Sequence, residues 1–182
     1  TKLLYEYLGD LIVLDVGGAT TDLHSVTVES DQVARLMISP EPKAKRTVEG
    51  DLGVYVNRWK VVESIGEEKL REQCREQGFS MEHALETYRA IPKTEEEVKL
   101  VELLTREAVV KAAERHAGRL RYIYGPSGRS TVAEGKDLTQ VKYIVGTGGA
   151  LTRLPHREEI MREITRCNES GMLLLPGEHA QI

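Results

Sequence analysis

The sequence has little cysteine and few large aromatics: two cysteines (Cys74, Cys167), one tryptophan and one phenylalanine. Two cysteines so far apart exclude a disulfide scaffold and fit a reducing compartment, so a cytoplasmic location is expected. Long apolar runs are missing too. The longest, such as Leu11–Leu14 and Met172–Leu175, are far too short for a bilayer-spanning helix, and no signal peptide is visible. A basic excess is absent: 25 Lys and Arg face 29 Asp and Glu, a formal charge of −4. Neither a nucleic-acid groove nor an anionic membrane surface is expected from that balance. His24, His83, His116, His156 and His179 lack metal-ligand spacing. There is no Walker lysine motif, no Gly-x-Ser-x-Gly elbow and no Cys–His pairing. No internal repeat or low-complexity tract appears.

What is present is an α/β pattern. At 182 residues and 40% hydrophobic, the chain can bury one core. Leu11–Leu14 reads as a buried strand, Thr21–Val28 as a second and Gln32–Ile38 as a third, giving an opening β-meander. Asp51 is a candidate cap for a helix to about Ser64, with a further helix after a break near Gly66. Ser80 opens a short helix. Thr94, with Glu97 three residues on, forms a capping box for a long helix to Ala117 with Gly118 as its C-cap. Strands are expected at Leu120–Tyr124 and Lys142–Val145, with a turn at 125–128 between them. A glycine-rich turn over Gly146–Gly149 leads to a helix at Arg157–Arg166, and Met172–Leu175 looks like a last strand. The expected organisation is a frame over 1–50 and 119–182, with a helical insertion over 51–118.

Two strings carry chemistry. The first is Asp15-Val16-Gly17-Gly18-Ala19-Thr20-Thr21-Asp22, between two strands. Two glycines leave no side chain to block a phosphate, and successive N–H groups can form an anion nest. Asp15, ending an apolar strand, needs a partner, and hydrated Mg²⁺ is a natural one. An ordinary glycine hairpin with a capping aspartate is the alternative. The second string is Tyr143-Ile144-Val145-Gly146-Thr147-Gly148-Gly149-Ala150-Leu151. It is not a Rossmann fingerprint, because Leu151 stands where the last glycine belongs. It suits either a flat group lying on bare backbone or a close strand–helix contact.

Read together, Asp-x-Gly-Gly-x-Thr-Thr-Asp on a hairpin resembles the second phosphate loop of the actin/hexokinase/DnaK-type ATPases. Val-Gly-Thr-Gly-Gly before a helix resembles their adenosine loop. Adding Arg46-Thr47-Val48-Glu49-Gly50-Asp51-Leu52-Gly53 and Gly135-Lys136-Asp137-Leu138-Thr139, nearly the whole chain resembles the C-terminal half of the glutamate mutase accessory (MutL/GlmL) family. That resemblance implies a ribonuclease H-like actin-type lobe that binds ATP or ADP with Mg²⁺. It also implies an ATP-driven reactivating or cofactor-handling partner for an adenosylcobalamin-dependent mutase.

In the same resemblance Asp15 holds Mg²⁺ through water or orients the attacking water, with Asp22 supporting the metal. Gly17, Gly18, Ala19 and Thr20 offer amides to the β- and γ-phosphates, and Thr21 supports the loop. Glu49, Gly50 and Asp51 approach ribose or metal, and Gly146, Thr147, Gly148 and Gly149 flank the adenosine. The first phosphate loop of that class belongs to an opposite, N-terminal lobe and has no counterpart here. The chain is therefore expected to be part of a longer protein, binding nucleotide weakly and hydrolysing little by itself. A small-molecule kinase or an actin-like assembly module of the same fold are the alternatives.

Overall fold

The computed structural model describes residues 1–126 and 128–182, so the turn expected at 125–128 falls partly outside the described residues at Ser127. Strand β1 (Leu11–Val16) is the centre of the frame. It pairs antiparallel with β2 (Thr21–Val26), which pairs antiparallel with β3 (Ala44–Glu49). On its other side β1 pairs in parallel with β6 (Tyr143–Thr147), giving the order β3-β2-β1-β6. The fold is α/β with a mixed sheet. A short helix α1 (Lys2–Leu8) precedes it.

The meander is present, but its third strand is not Gln32–Ile38. Ser30 caps one helical turn, α2 (Asp31–Ala34), accepting from the Val33 amide through its hydroxyl. The ladder position belongs to Ala44–Glu49 instead. That segment is an edge strand with one face to solvent, so it lacks an apolar pattern.

The helical stretch comprises α3 (Arg58–Ile65), α4 (Glu67–Glu76), α5 (Met81–Glu86) and α6 (Glu95–His116). The break at Gly66 is where expected, with φ 90°. Asp51 caps nothing. Helix α3 starts after Asn57, whose side-chain amide donates to the carbonyls of Ala19 and Gly50 instead. Helix α6 carries the expected capping box, closed by Thr94 and Glu97, and ends at His116 with Ala117 rather than Gly118 as its C-cap. Glu97 is fully buried. Amides of Lys93 and Thr94 donate to it and hold its carboxyl below the usual range.

The inner face of α6 (Leu100, Val101, Leu104, Ala108, Val109, Ala112) packs on the sheet in one continuous core with Ile12, Leu14, Leu23 and Ile144. Its last residue, His116, is fully buried, and its ring bonds the hydroxyls of Ser25 at 2.8 Å and Thr47 at 2.9 Å. Cys74 is buried and Cys167 half-buried, and both are free thiols.

After α6 a separate hairpin rises from the frame, β4 (Arg119–Gly125) with β5 (Gly128–Glu134). Helix α7 (Gly148–Arg153) follows β6 at once, so Gly146–Gly149 is no loose turn: Gly146 and Thr147 end the strand and Gly148 opens the helix. Helix α8 (Arg157–Arg162) continues as a 3-10 turn over Glu163–Thr165. Met172–Leu175 forms no strand. Its backbone makes one isolated antiparallel bridge, Leu173 to Arg119, in which the Leu120 amide donates to Met172 and the Leu174 amide to Gly118, and the Leu138 amide also donates to Leu174. No described helix is long and apolar enough to cross a membrane.

Candidate nucleotide cleft

Because β1 and β6 are parallel, adjacent and in register, with Asp15 beside Thr147, their C-terminal ends open at the same edge of the sheet. The bend at Gly17 and the bend at Gly148 therefore meet, although about 130 residues separate them in the chain. Gly148 has φ 79°, and a β-carbon there would sit 2.5 Å from both Asp15 Oδ1 and the Val16 carbonyl. Only glycine fits that position. Residues of both bends, Gly17, Gly18, Gly149 and Ala150, line one cavity of about 300 Å³.

The hairpin bend is held from outside. Its own closure is the Gly17 amide donating to the Thr20 carbonyl at 2.9 Å. The Gly17 carbonyl accepts from the Val54 amide, and the Gly18 carbonyl accepts from the amides of Tyr55 and Val56. A side chain at Gly53 would overlap the Ala19 backbone. Thr21 is fully buried and its hydroxyl donates to the Leu52 carbonyl at 2.7 Å. The segment 52–57 thus clamps the bend.

The Gly17 amide is consumed in the turn. Among the described residues, the amides of Gly18, Ala19 and Thr20 donate to no protein backbone. Neither Gly17 nor Gly18 has positive φ, so their smallness answers crowding rather than torsion: added β-carbons would press on the Thr20 carbonyl and the Tyr55 side chain, both at 3.2 Å.

Asp15 is exposed at the strand end, so burial imposes no need for a partner. It lies directly across from Asp22. Asp22 is already engaged: Arg46 donates to it at 2.6 Å and the Thr20 hydroxyl at 3.1 Å. Of the two aspartates, only Asp15 has a carboxylate not bonded to a protein donor among the described residues. Mg²⁺ with one carboxylate, waters and phosphate oxygens suits such a site. Among the described residues no group of three or more His, Cys, Asp or Glu is gathered for a metal.

Glu49 and Asp51 are drawn toward the end of α6. Arg115 bonds Glu49 at 2.6 Å and Asp51 at 2.8 and 2.9 Å, and it holds the Asp51 carboxyl below its usual range. Neither residue nor Gly50 lines the cavity. Gly146 lies off the cavity too. A β-carbon there would meet the Met161 sulfur at 2.6 Å, so it serves strand–helix packing. Thr147 donates through its hydroxyl to the Leu14 carbonyl and locks β6 to β1.

Sequence reasoning missed the apolar wall. Tyr55 and Tyr88 stack with ring centres 5.9 Å apart, and the Tyr88 hydroxyl donates to the Val54 carbonyl at 2.6 Å. Burial raises the Tyr88 pKa and keeps it a donor. The Arg58 guanidinium lies between 5.3 and 5.7 Å from the ring centres of Tyr55, Trp59 and Tyr88. Val98, Val101, Leu154 and Pro155 add to the apolar lining, and Arg153 brings a charged group to it. The string Leu52-Gly53-Val54-Tyr55 was the available signal: two apolar residues flanking a glycine, directly after a turn. On α4, Arg71 pairs with Glu82 and Arg75 with Glu72, and neither lines the cavity.

The arrangement offers free amides and one carboxylate at one end and an apolar, aromatic-walled cavity at the other, which suits a ligand with an anionic tail and a flat apolar head. The family described as MutL protein matches residues 1–182. "Protein MutL" of Clostridium tetanomorphum is 39% identical over 161 residues, covering 85% of this chain and 35% of that protein, so the chain spans about a third of that relative's length. A match over all 182 residues establishes that the chain belongs to the MutL family.

Proposed function

We propose that this chain is the nucleotide-gripping part of an actin-type ATPase lobe, and that the complete protein is an ATP-driven accessory factor for an adenosylcobalamin-dependent mutase such as glutamate mutase. The observation that carries the nucleotide reading is the meeting of two glycine bends in one cleft, with the Asp15 carboxylate packed against Gly148. The amides of Gly18, Ala19 and Thr20 would take the β- and γ-phosphates, since bare N–H groups bind anions without a lysine. Mg²⁺ would supply charge neutralisation on the phosphates, reached by Asp15 through water. The purine would occupy the cavity beneath Tyr55 and Tyr88, lying on the backbone of Gly149 and Ala150.

Hydrolysis needs charge stabilisation from every side of the transferred group, and the described residues bring donors from one side. The remaining two-thirds of a family member would bring the rest. The mutase reading draws its support from family membership and the resemblance that goes with it.

Two measurements test the proposal. Titrating Mg-ATP into the protein while following amide resonances is expected to move Gly18, Ala19 and Gly149 first, and shifts confined to other surfaces would defeat the nucleotide assignment. ATPase activity of the full-length protein is expected to rise when inactivated mutase is added, and an unchanged rate would defeat the accessory role.

A further inference from the structure

Three consecutive peptide groups of the hairpin bend are held from one side. Each joins a carbonyl to the next residue's amide: Gly17 to Gly18, Gly18 to Ala19, and Ala19 to Thr20. In a trans peptide the carbonyl and the N–H point opposite ways, and the described chain has no cis bond. Whatever grips the three carbonyls therefore aims the three amides, and these are the amides that find no partner in the described backbone.

The grip comes from residues 54 to 57. The Val54 amide donates to the Gly17 carbonyl at 3.1 Å, and the amides of Tyr55 and Val56 donate to the Gly18 carbonyl at 2.9 and 2.7 Å. The third carbonyl, that of Ala19, receives no backbone donor among the described residues. It accepts instead from the side-chain nitrogen of Asn57 at 2.8 Å. Gly53 makes this reach possible. A β-carbon there would lie 2.2 Å from the Ala19 carbonyl carbon, so only glycine lets the two segments run so close.

The Asn57 nitrogen carries two hydrogens, and the second goes to the Gly50 carbonyl at 2.7 Å. Only the nitrogen end of the side chain can face two carbonyls, which fixes its orientation. Asn57 stands where α3 begins, a position at which asparagine ordinarily caps the helix through its oxygen, yet it makes no cap bond. Its side chain is committed to the bend rather than to the helix. The Glu49-Gly50-Asp51 turn thereby gains a part in the site without touching the cavity. It is the second hold on Asn57, and Arg115 secures it in turn through Glu49 and Asp51.

We infer that Asn57 is a positioning residue for phosphate: by holding the Ala19 carbonyl it aims the Thr20 amide at the β- and γ-phosphates. It finishes with a side chain the row that Val54, Tyr55 and Val56 make with backbone. The assignment rests on the nucleotide reading proposed above. Without the Asn57 donor the Ala19–Thr20 peptide can turn, and its N–H meets the anion only part of the time. Donors fixed beforehand spend no binding energy on reorientation.

The test uses the full-length protein. Calorimetry gives the affinities of Mg-ATP and AMP for the wild type, Asn57→Asp and Asn57→Ala. The quantity read is the ratio of the two, because AMP shares the base, the ribose and the first phosphate but lacks the β- and γ-phosphates. Both substitutions are expected to cut the preference for ATP roughly tenfold, the worth of one hydrogen bond to a charged group, while AMP affinity holds. A carboxylate suits a helix start, so Asn57→Asp keeps α3 in place. Asn57→Ala is neutral, so its loss cannot be repulsion between a new charge and the phosphates. A loss confined to Asn57→Asp is that repulsion, and it overturns the inference. Equal weakening of both ligands, the mark of general loosening, overturns it too, as does an unchanged preference in folded variants. All three results leave the nucleotide reading standing. A wild type that binds ATP no more tightly than AMP removes the phosphate role of the bend and the inference with it, and one that binds neither defeats the nucleotide reading as well.

Discussion

The two ends of the central sheet treat polar groups in opposite ways. At the end near Leu11 and Val26, His116, Lys136 and Asp137 are fully buried, and each is bonded inside the protein. Lys136 donates to the carbonyls of Thr27 and Pro42, and His116 bridges two hydroxyls. At the other end, the amides of Gly18, Ala19 and Thr20 are unbonded within the described backbone and Asp15 is exposed. A buried polar group is tolerated only when satisfied, so the first end reads as scaffold. The second end leaves donors free on a rigid bend, which is what a binding site requires.

The largest effect expected to separate the ends comes from Gly148→Ala. The added carbon meets two oxygens at 2.5 Å in a left-handed conformation, and a loss of about 2–4 kcal/mol in denaturant unfolding is expected. Gly149→Ala, with nothing within 4 Å, is the control and should leave stability unchanged or raised by a few tenths. Equal losses in the two variants would contradict the packing described for the cleft.

The scaffold end should reveal itself through pH. Burial, with help from Lys45 and Lys136, drives the His116 pKa down to about 3. The unfolded chain takes up a proton on this ring near pH 6.5, which the folded chain refuses until about pH 3. Stability is therefore complete above pH 6.5 and drains as pH falls between those values, by up to about 1.4 kcal/mol per pH unit. Urea unfolding at pH 7.5, 6 and 5 would register it, and His116→Gln should flatten the profile.

At the binding end Asp15→Asn should leave stability alone, because the residue is exposed, and weaken Mg-dependent ATP binding by about tenfold. Binding without added Mg²⁺ should change little. Calorimetry with and without the metal distinguishes these outcomes. The smallest effect belongs to Arg115→Ala, which frees Glu49 and Asp51 at the cost of a half-exposed ion pair, about 0.5–1 kcal/mol. A large fall in nucleotide affinity with this variant would make those acids part of the site after all.

What was legible in the sequence was what is locally encoded. The capping box at Thr94, the break at Gly66 and the Ser80 cap need only neighbours a few residues away, and all three stand. Leu11–Leu14 declared itself because it is buried on both faces. The β3 edge strand did not, since its inward residues Lys45 and Thr47 are polar and answer to His116, whose place is set by a helix about 70 residues on. At the cleft, the two glycine strings were readable as a pair. Their wall was not, because Tyr55 and Tyr88 come together only through the packing of α3, α5 and α6. Gly146 misled for a related reason: a glycine beside a bend answers helix packing as readily as a ligand.

The pairing of Asp15 with Thr147 also fixes when in folding a cleft can exist. Contacts that distant in sequence close late, after the local helices and the β1–β2 hairpin have formed. A ribosome-bound chain halted before residue 147 would hold the amide bend with no opposite wall, so grip on a ligand comes only with the closing strand. Ligand capture would then report on completed folding, and a ligand that binds only the finished cleft would stabilise the folded state by mass action.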